Sequence, residues 1–307
     1  MKILFMGTPD FADACFKALV DNKFNVTAVF TKPDKPVGRA QKVVFSQVKQ
    51  SAINYNIPVY QPTNLKDDSC KKALEEINPD LIVVVAYGKI LPKYILDYPK
   101  YKCINIHGSL LPKYRGAAPI QWSVLNGEKQ TGVTAMYMDE GMDTGDIILQ
   151  NKIKIGENET SSELFDRMKV LAADTLIETL NLVKNNKVKS QKQDQTLATY
   201  APMLSKDISK IDFNKSALQV HNKIRGLNSW PSAYTIFKGK KLKIHLSSLS
   251  SLKAEKAGLV ISLNPFVVGC GDNNSIEIKE VQLEGKKKMS ASDFIRGSHL
   301  KINDTLG

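Results

Sequence analysis

Apolar residues in the first half of the chain fall in short blocks, separated by stretches with helical spacing. Ile3–Met6, Val26–Phe30, Leu81–Ala86, Cys103–His107 and Thr134–Met138 are predicted strands. Leu81-Ile82-Val83-Val84-Val85-Ala86 is apolar throughout, as expected of a strand buried on both faces of a parallel sheet. Phe11–Leu19 and Ser69–Ile77 read as intervening helices. The alternation predicts an α/β domain of Rossmann-like, doubly wound form.

Thr160 and Glu163 have the spacing of a capping box. The helix they open carries Leu164, Met168, Leu171, Leu176, Leu180 and Val183, and it closes a first domain assigned to residues 1–188. Residues 189–206 are polar and aperiodic, which predicts a linker. In residues 207–307 a short helix from Ser216 to about Gly226 comes first. The β-like runs Ala233–Phe237, Leu242–Leu249, Gly258–Ile261, Phe266–Gly269 and Ser275–Ile278 follow, divided by turns such as Lys238-Gly239-Lys240-Lys241. They predict a small antiparallel β-barrel, OB-like in form.

A length of 307 residues with 42% hydrophobic content is enough for two cores. No apolar run reaches about 18 residues, so no membrane span is expected. Lys2-Ile3-Leu4-Phe5-Met6-Gly7 starts a strand at once, without the apolar core of a signal peptide. Cys15, Cys70, Cys103 and Cys270 lie far apart and form no CxxC pair. Neither a disulfide framework nor a zinc site is suggested, and a reducing cytoplasm fits. The histidines are scattered as well, and no metal is assigned. A monomer is the simplest expectation.

Charge changes the picture more. Residues 1–188 hold 24 Lys/Arg against 21 Asp/Glu, whereas residues 189–307 hold 19 against 10. The C-terminal part therefore carries +9 of the net +12, which points to a polyanionic partner, nucleic acid first.

The candidate chemistry centres on Cys103-Ile104-Asn105-Ile106-His107-Gly108-Ser109-Leu110-Leu111-Pro112. Period-two alternation places Asn105 and His107 on one face of a strand. Gly108 permits a sharp turn, and Pro112 stops a helix from starting soon after. An amide donor and an imidazole are thus presented at the carboxyl end of a strand, where open α/β sheets bind their ligands. After the strand-like Gly132–Met138 comes Asp139-Glu140-Gly141-Met142-Asp143-Thr144-Gly145-Asp146, a turn able to aim a carboxylate at the same edge. Such a set can steady an oxyanion and manage one proton. Ser109 follows closely, but no GxSxG elbow supports a hydrolase. Gly7-Thr8-Pro9 lacks GxGxxG, and Pro9 removes a backbone donor, so a dinucleotide site is rejected.

With these residues in view, the chain resembles the 10-formyltetrahydrofolate-dependent formyltransferases. Asn105, His107 and Asp143 match that superfamily's catalytic trio, and the stretch from His107 through Arg115-Gly116-Ala117-Ala118-Pro119-Ile120 matches its signature. Phe5-Met6-Gly7-Thr8-Pro9-Asp10-Phe11-Ala12, Thr31–Arg39, Val84–Pro92 and Gly141–Asp146 narrow the resemblance to the family that formylates methionyl initiator tRNA. Leu227-Asn228-Ser229-Trp230-Pro231 and Gly285–Ala291 extend it over nearly the whole chain.

The resemblance implies formyl transfer from a reduced folate to the α-amine of methionyl initiator tRNA. It implies 10-formyltetrahydrofolate as cosubstrate and no metal. Asn105 and His107 would hydrogen-bond the formyl oxygen, with Asp143 orienting the ring. Ser109, Leu110, Leu111 and Pro112 would line the folate pocket with Gly88, Lys89, Ile90 and Leu91, and the backbone from Asp139 to Asp143 would meet the pterin. Lys35, Arg39 and Lys42 of a basic loop would contact the tRNA acceptor end. Lys206, Lys240, Lys241, Lys286 and Lys287 would contact its backbone. A folate-dependent formyltransferase acting on a small amine, and a non-catalytic RNA-binding protein on the same scaffold, are the alternatives. The basic loop and the cationic C-terminal part weigh against the first, and the intact trio against the second.

Overall fold

Strand Leu81–Val85 is buried at every position and lies inside a seven-stranded sheet. The structure, a computed structural model, describes residues 1–37 and 42–307, with the side chains of Val37 and Lys42 left aside. It divides into two compact units.

The first unit comprises Met1–Gly116, Gly132–Ile153 and Asp166–Tyr200. Its strands run in the order Ile147–Lys154, Gln130–Tyr137, Cys103–His107, Leu81–Val85, Lys2–Gly7, Asn25–Phe30, Val59–Tyr60. The last five pair in parallel, and Gln130–Tyr137 joins antiparallel to Cys103–His107. Strand Lys2–Gly7 has its sequence successor on one side and Leu81–Val85 on the other, so the topology switches direction between those two. That is the doubly wound arrangement expected, and it opens a crevice at the carboxyl edge. Helices Asp10–Asp21 and Asp68–Ile77 match the expected ones within three residues at either end. Helix Gln47–Asn54, capped by the Ser46 hydroxyl, was not expected, because its apolar positions are few.

Helix Ser161–Lys184 begins at the expected box: Thr160 N–H donates to Glu163 Oε2 at 2.8 Å, and Glu163 N–H to Thr160 Oγ1 at 3.3 Å. Leu164, Met168, Leu176 and Leu180 on it have no exposed surface.

The second unit comprises Ala117–Thr131, Lys154–Phe165 and Ala201–Gly307. The chain thus enters it twice before residue 201, which a division into 1–188, 189–206 and 207–307 does not capture. Helix Ala217–Gly226 starts at a full capping box between Ser216 and Gln219. Its C-terminal residue must be glycine, since a Cβ there would lie 2.7 Å from Leu125 Cγ and 2.9 Å from Leu125 N.

The antiparallel sheet of this unit runs Ala233–Phe237, Lys240–Ser250, Ser275–Leu283, Phe266–Gly269, Val260–Leu263, with Met289–Ser290 also on Ser275–Leu283. The expected closed barrel does not form among the described residues: Ala233–Phe237 and Val260–Leu263 are both edges. The C-terminal tail lies between them, with Asn303 N–H on Val260 O at 2.9 Å and Gly307 N–H on Ile236 O at 3.2 Å. Phe294 of helix Ala291–Ser298 fills the same gap, 5.5 Å from the Phe237 ring and 6.4 Å from Phe266. The edges are thus bridged by a tail and a helix, neither of which has a strand's alternating pattern.

Residues 189–200, read as linker, pack onto the first unit. Gln191 exchanges both backbone hydrogen bonds with Ile147 at 2.8 Å, and Gln193 is buried. The stretch is polar because most of its side chains face solvent, and Gln193, which is buried, is spent on hydrogen bonds.

Candidate active site

Strand Cys103–His107 sets Asn105 beside Val84 and Met136, and His107 beside Thr134. Thr134 pins the turn that follows. Its hydroxyl donates to Ser109 O at 2.6 Å and accepts from Leu111 N–H at 3.1 Å and Gln150 Nε2 at 2.9 Å. A hydroxyl has one donor and two acceptor positions, so this one is fully used.

The His107 ring is buried, with Nε2 2.9 Å from the Tyr114 carbonyl oxygen. A carbonyl only accepts, so Nε2 carries a hydrogen and donates. Nδ1 is left facing Asp143 Oδ2 at 3.6 Å. Asp143 Oδ2 accepts from Gly116 N–H at 2.8 Å, and Oδ1 from Asn105 Nδ2 at 3.4 Å. The three expected catalytic side chains therefore meet at one point on the carboxyl edge.

Asp143 sits at φ +56°, in the left-handed region. A non-glycine residue stays there only where its surroundings hold it, at a cost of about 1–3 kcal/mol. Two residues on, Gly145 lies so close to Tyr137 O that an added Cβ would be 1.8 Å away.

Chemically, since Nε2 is held by the Tyr114 carbonyl, Nδ1 of His107 is the ring nitrogen that faces Asp143 and Asn105. With a hydrogen on it, the ring is a cation balanced by Asp143 and able to donate. Asn105 supplies a second N–H beside it. Burial pushes the Cys103 thiol, at the start of the same strand, up to about 12, so this cysteine is no nucleophile. Among the described residues no group of His, Cys, Asp and Glu could hold a metal. Nor is any described helix long and apolar enough to cross a membrane.

The expected pocket residues divide. Ile90 is 88% exposed and Met142, beside Asp143, is 62% exposed, which leaves apolar surface for a flat ring in both loops. Leu91 and Leu111 are instead core residues, and Ser109 is fully buried with its hydroxyl on Lys113 O at 2.6 Å. The Ser109 carbonyl and the Leu111 N–H and carbonyl are likewise taken, by Thr134 and Gln150, so these residues shape the turn from within. Leu110 leans over Gly132, where a Cβ would fall 2.5 Å from its Cδ2, and Pro112 follows it in the turn. Lys89 donates to Pro62 O at 2.6 Å and Thr63 O at 2.8 Å, so its ammonium ties down a loop. Burial and the nearby Lys32 hold its pKa below the ordinary lysine value. Gly88 adopts φ +70° with Lys32 Nζ against it. Asp139 caps its own turn, accepting from Gly141 N–H at 3.0 Å and Thr144 Oγ1 at 2.6 Å.

Of the expected tRNA contacts, Arg39 lies outside the described residues, Lys35 is exposed, and Lys42 lies on strand Lys42–Val44. Lys240 and Lys241 end one turn, and Lys286 and Lys287 lie in the next. Glu284 N–H on Lys241 O at 2.9 Å puts the two turns side by side, and all four lysines are exposed. Lys206 is exposed on a separate turn, Lys206–Ser209.

Sequence reasoning missed Tyr114 and Gly116, which act through backbone atoms, and the buried pair Arg115 and Gln193. Arg115 lies within a quoted motif, whereas nothing in the polar run around Gln193 marks it.

The site is a doubly wound sheet with an amide, an imidazole and a carboxylate at its carboxyl edge, and the family models give the class as formyl transferase. Residues 1–180 match "Formyl transferase", and residues 203–299 match "Formyl transferase, C-terminal domain". The chain is 46% identical over 310 residues to the methionyl-tRNA formyltransferase of Alkaliphilus oremlandii, with 100% of both chains covered. It is 45% identical over 309 residues to that of Clostridioides difficile, again at 100% coverage of both. The chain belongs to the methionyl-tRNA formyltransferase family.

Two solved structures share its fold. An N-formyltransferase from Helicobacter canadensis, in complex with folinic acid and dTDP-3-aminofucose, matches at TM-score 0.69 and 24% identity, over 91% of this chain and 98% of that one. HypX from Aquifex aeolicus, in complex with tetrahydrofolic acid, matches at TM-score 0.66 and 17% identity, over 100% of this chain and 50% of that one.

Proposed function

We propose that this protein transfers a formyl group from 10-formyltetrahydrofolate to the α-amine of methionyl initiator tRNA, acting as a monomer in the cytoplasm. The amine is already a nucleophile. An α-amine titrates at about 7.7–8.0, and an ester on the same carbon lowers that further, so much of it is neutral at cellular pH. The protein's task is to align the reactants, steady the charge on oxygen and move one proton.

Bound folate supplies an activated formyl carbon. Asn105 Nδ2 and His107 Nδ1 donate to the formyl oxygen, where negative charge develops as nitrogen adds. Asp143, tied to Gly116 N–H, keeps Nδ1 pointed at that oxygen and balances the ring's charge. Through a water that it holds, Asp143 passes the amine's proton to N10 of the folate as the tetrahedral intermediate collapses, the bond between the formyl carbon and N10 breaks, and tetrahydrofolate leaves. Ile90 and Met142 offer apolar surface to the folate ring, and the backbone around Gly88 and Asp139–Asp143 offers hydrogen-bonding groups. The lysine-rich end of the second unit contacts the tRNA backbone, and the basic loop around Arg39 contacts the acceptor end.

The observation that supports this most is the convergence of Asn105 and His107 on Asp143, at 3.4 and 3.6 Å, in a chain whose relatives match end to end. The test gives the enzyme 10-formyltetrahydrofolate with charged initiator tRNA, or with glycinamide ribonucleotide or an amino-sugar nucleotide. Formyl-methionyl-tRNA is the expected product. Formylation of a small amine alone, or of none, overturns the proposal.

A further inference from the structure

The segment from 189 to 200 carries one glutamine whose carboxamide has every hydrogen-bonding position filled. Gln193 Nε2 donates to Asp143 O and to Gly145 O, both at 2.8 Å. Its Oε1 accepts from Arg115 Nε at 3.2 Å and Nη2 at 2.6 Å. An amide offers two N–H donors and two lone pairs, so nothing is left over. A guanidinium can only donate, so Arg115 forces Oε1 toward itself and the NH₂ toward the two carbonyls. Arg115 is in turn fixed, with Nη1 on Gln195 Oε1 at 2.8 Å and its N–H on Thr199 O at 2.8 Å.

Arg115 is only 2% exposed, and no carboxylate pairs with it among the described residues. Buried arginines are normally paired with acids. Here the fork is spent on a neutral amide that grips the loop holding Asp143 at φ +56°.

We infer that Arg115 and Gln193 are positioning residues for Asp143, acting through Gln193's hold on the Asp143 and Gly145 carbonyls. Residues 114–116 then serve the site in succession. The Tyr114 carbonyl holds His107, the Arg115 side chain orients Gln193, and the Gly116 N–H holds the Asp143 carboxylate. The inference rests on the assignment of Asp143 proposed above.

Gln193→Ala strands a buried cation and is a poor test. Gln193→Glu separates the roles: it gives Arg115 a better partner but turns a carboxylate oxygen toward two carbonyls that need a donor. The test measures kcat, KM for tRNA, KM for folate and thermal unfolding for Gln193→Glu, Asp143→Ala and the double variant. Displacing a reacting group by about 1 Å can cost on the order of 10²-fold. For Gln193→Glu a loss of about 10- to 100-fold in kcat is expected, with both KM values within about threefold and a folded protein. In the Asp143→Ala background the same change should lower kcat no further. Full activity of Gln193→Glu beside a crippled Asp143→Ala overturns the inference alone, as do additive losses. An unaffected Asp143→Ala overturns the underlying assignment of Asp143 instead.

Discussion

His107 Nε2 lies 2.9 Å from the Tyr114 carbonyl oxygen, and that contact decides which side of the ring can do chemistry. The ring is turned so that Nδ1, rather than Nε2, shares the cleft with Asn105 and Asp143. The histidine can donate at both nitrogens only as a cation, and the nearest countercharge is Asp143. Backbone atoms of residues 114 and 116 set this geometry, and residue 116 sits at φ +117°, a conformation that favours glycine and strains any side chain placed there.

Gly145→Ala tests how tightly the Asp143 loop is bound to its strand. The new methyl would lie 1.8 Å from Tyr137 O and 2.8 Å from Tyr137 C, both backbone atoms that cannot rotate away. Overpacking of this kind costs about 1–3 kcal/mol or more. Thermal unfolding should shift down by several degrees and turnover should fall at least about tenfold, because Asp143 moves with the loop. Wild-type values of both would show that the loop relaxes freely.

Stability should fall on mild acidification. Burial holds the His221 pKa below its ordinary 6.5, Arg225 and Lys279 push the same way, and the Glu157 carbonyl opposes them. The His245 pKa is also lowered, chiefly by burial. Below pH 6.5 the unfolded chain takes up protons that the folded chain refuses, so the unfolded state gains. The stability these rings contribute is complete above that pH and is lost as pH falls through their lowered folded values. Unfolding temperatures measured from about pH 7 to about pH 5 should decline, and His221→Gln should flatten the decline. An unchanged slope in that variant would assign the acid sensitivity to other groups.

The four lysines at the adjoining turns should govern the salt dependence of tRNA binding. With Lys240, Lys241, Lys286 and Lys287 all changed to alanine, the slope of log affinity against log salt should fall by up to about 3. Folate affinity should not change. An unaltered slope would place the phosphate contacts elsewhere.

Much of the fold was legible because burial and local pattern agree. Leu81–Val85 is apolar at every position, Thr160 and Glu163 cap a helix, and Asn105 and His107 share a strand face because strands alternate. The trio was legible only through long motifs, since nothing local tells that Asp143 turns back toward His107. Edge closure in the second unit was not legible, because residues 303–307 and Phe294 act there without periodic spacing. The role of Gln193 was hidden for a related reason. A buried glutamine bonded to carbonyls and an arginine looks, in sequence, like any residue of a solvated linker.

The most direct measurement is the single-turnover rate of formyl transfer from 10-formyltetrahydrofolate to methionyl initiator tRNA, for Asn105→Ala and for His107→Ala. Each variant should lose on the order of 10²–10³ in rate, as removal of an oxyanion donor does, while still binding folate. Rates near wild type in both would contradict the assignment of these two donors to the formyl oxygen.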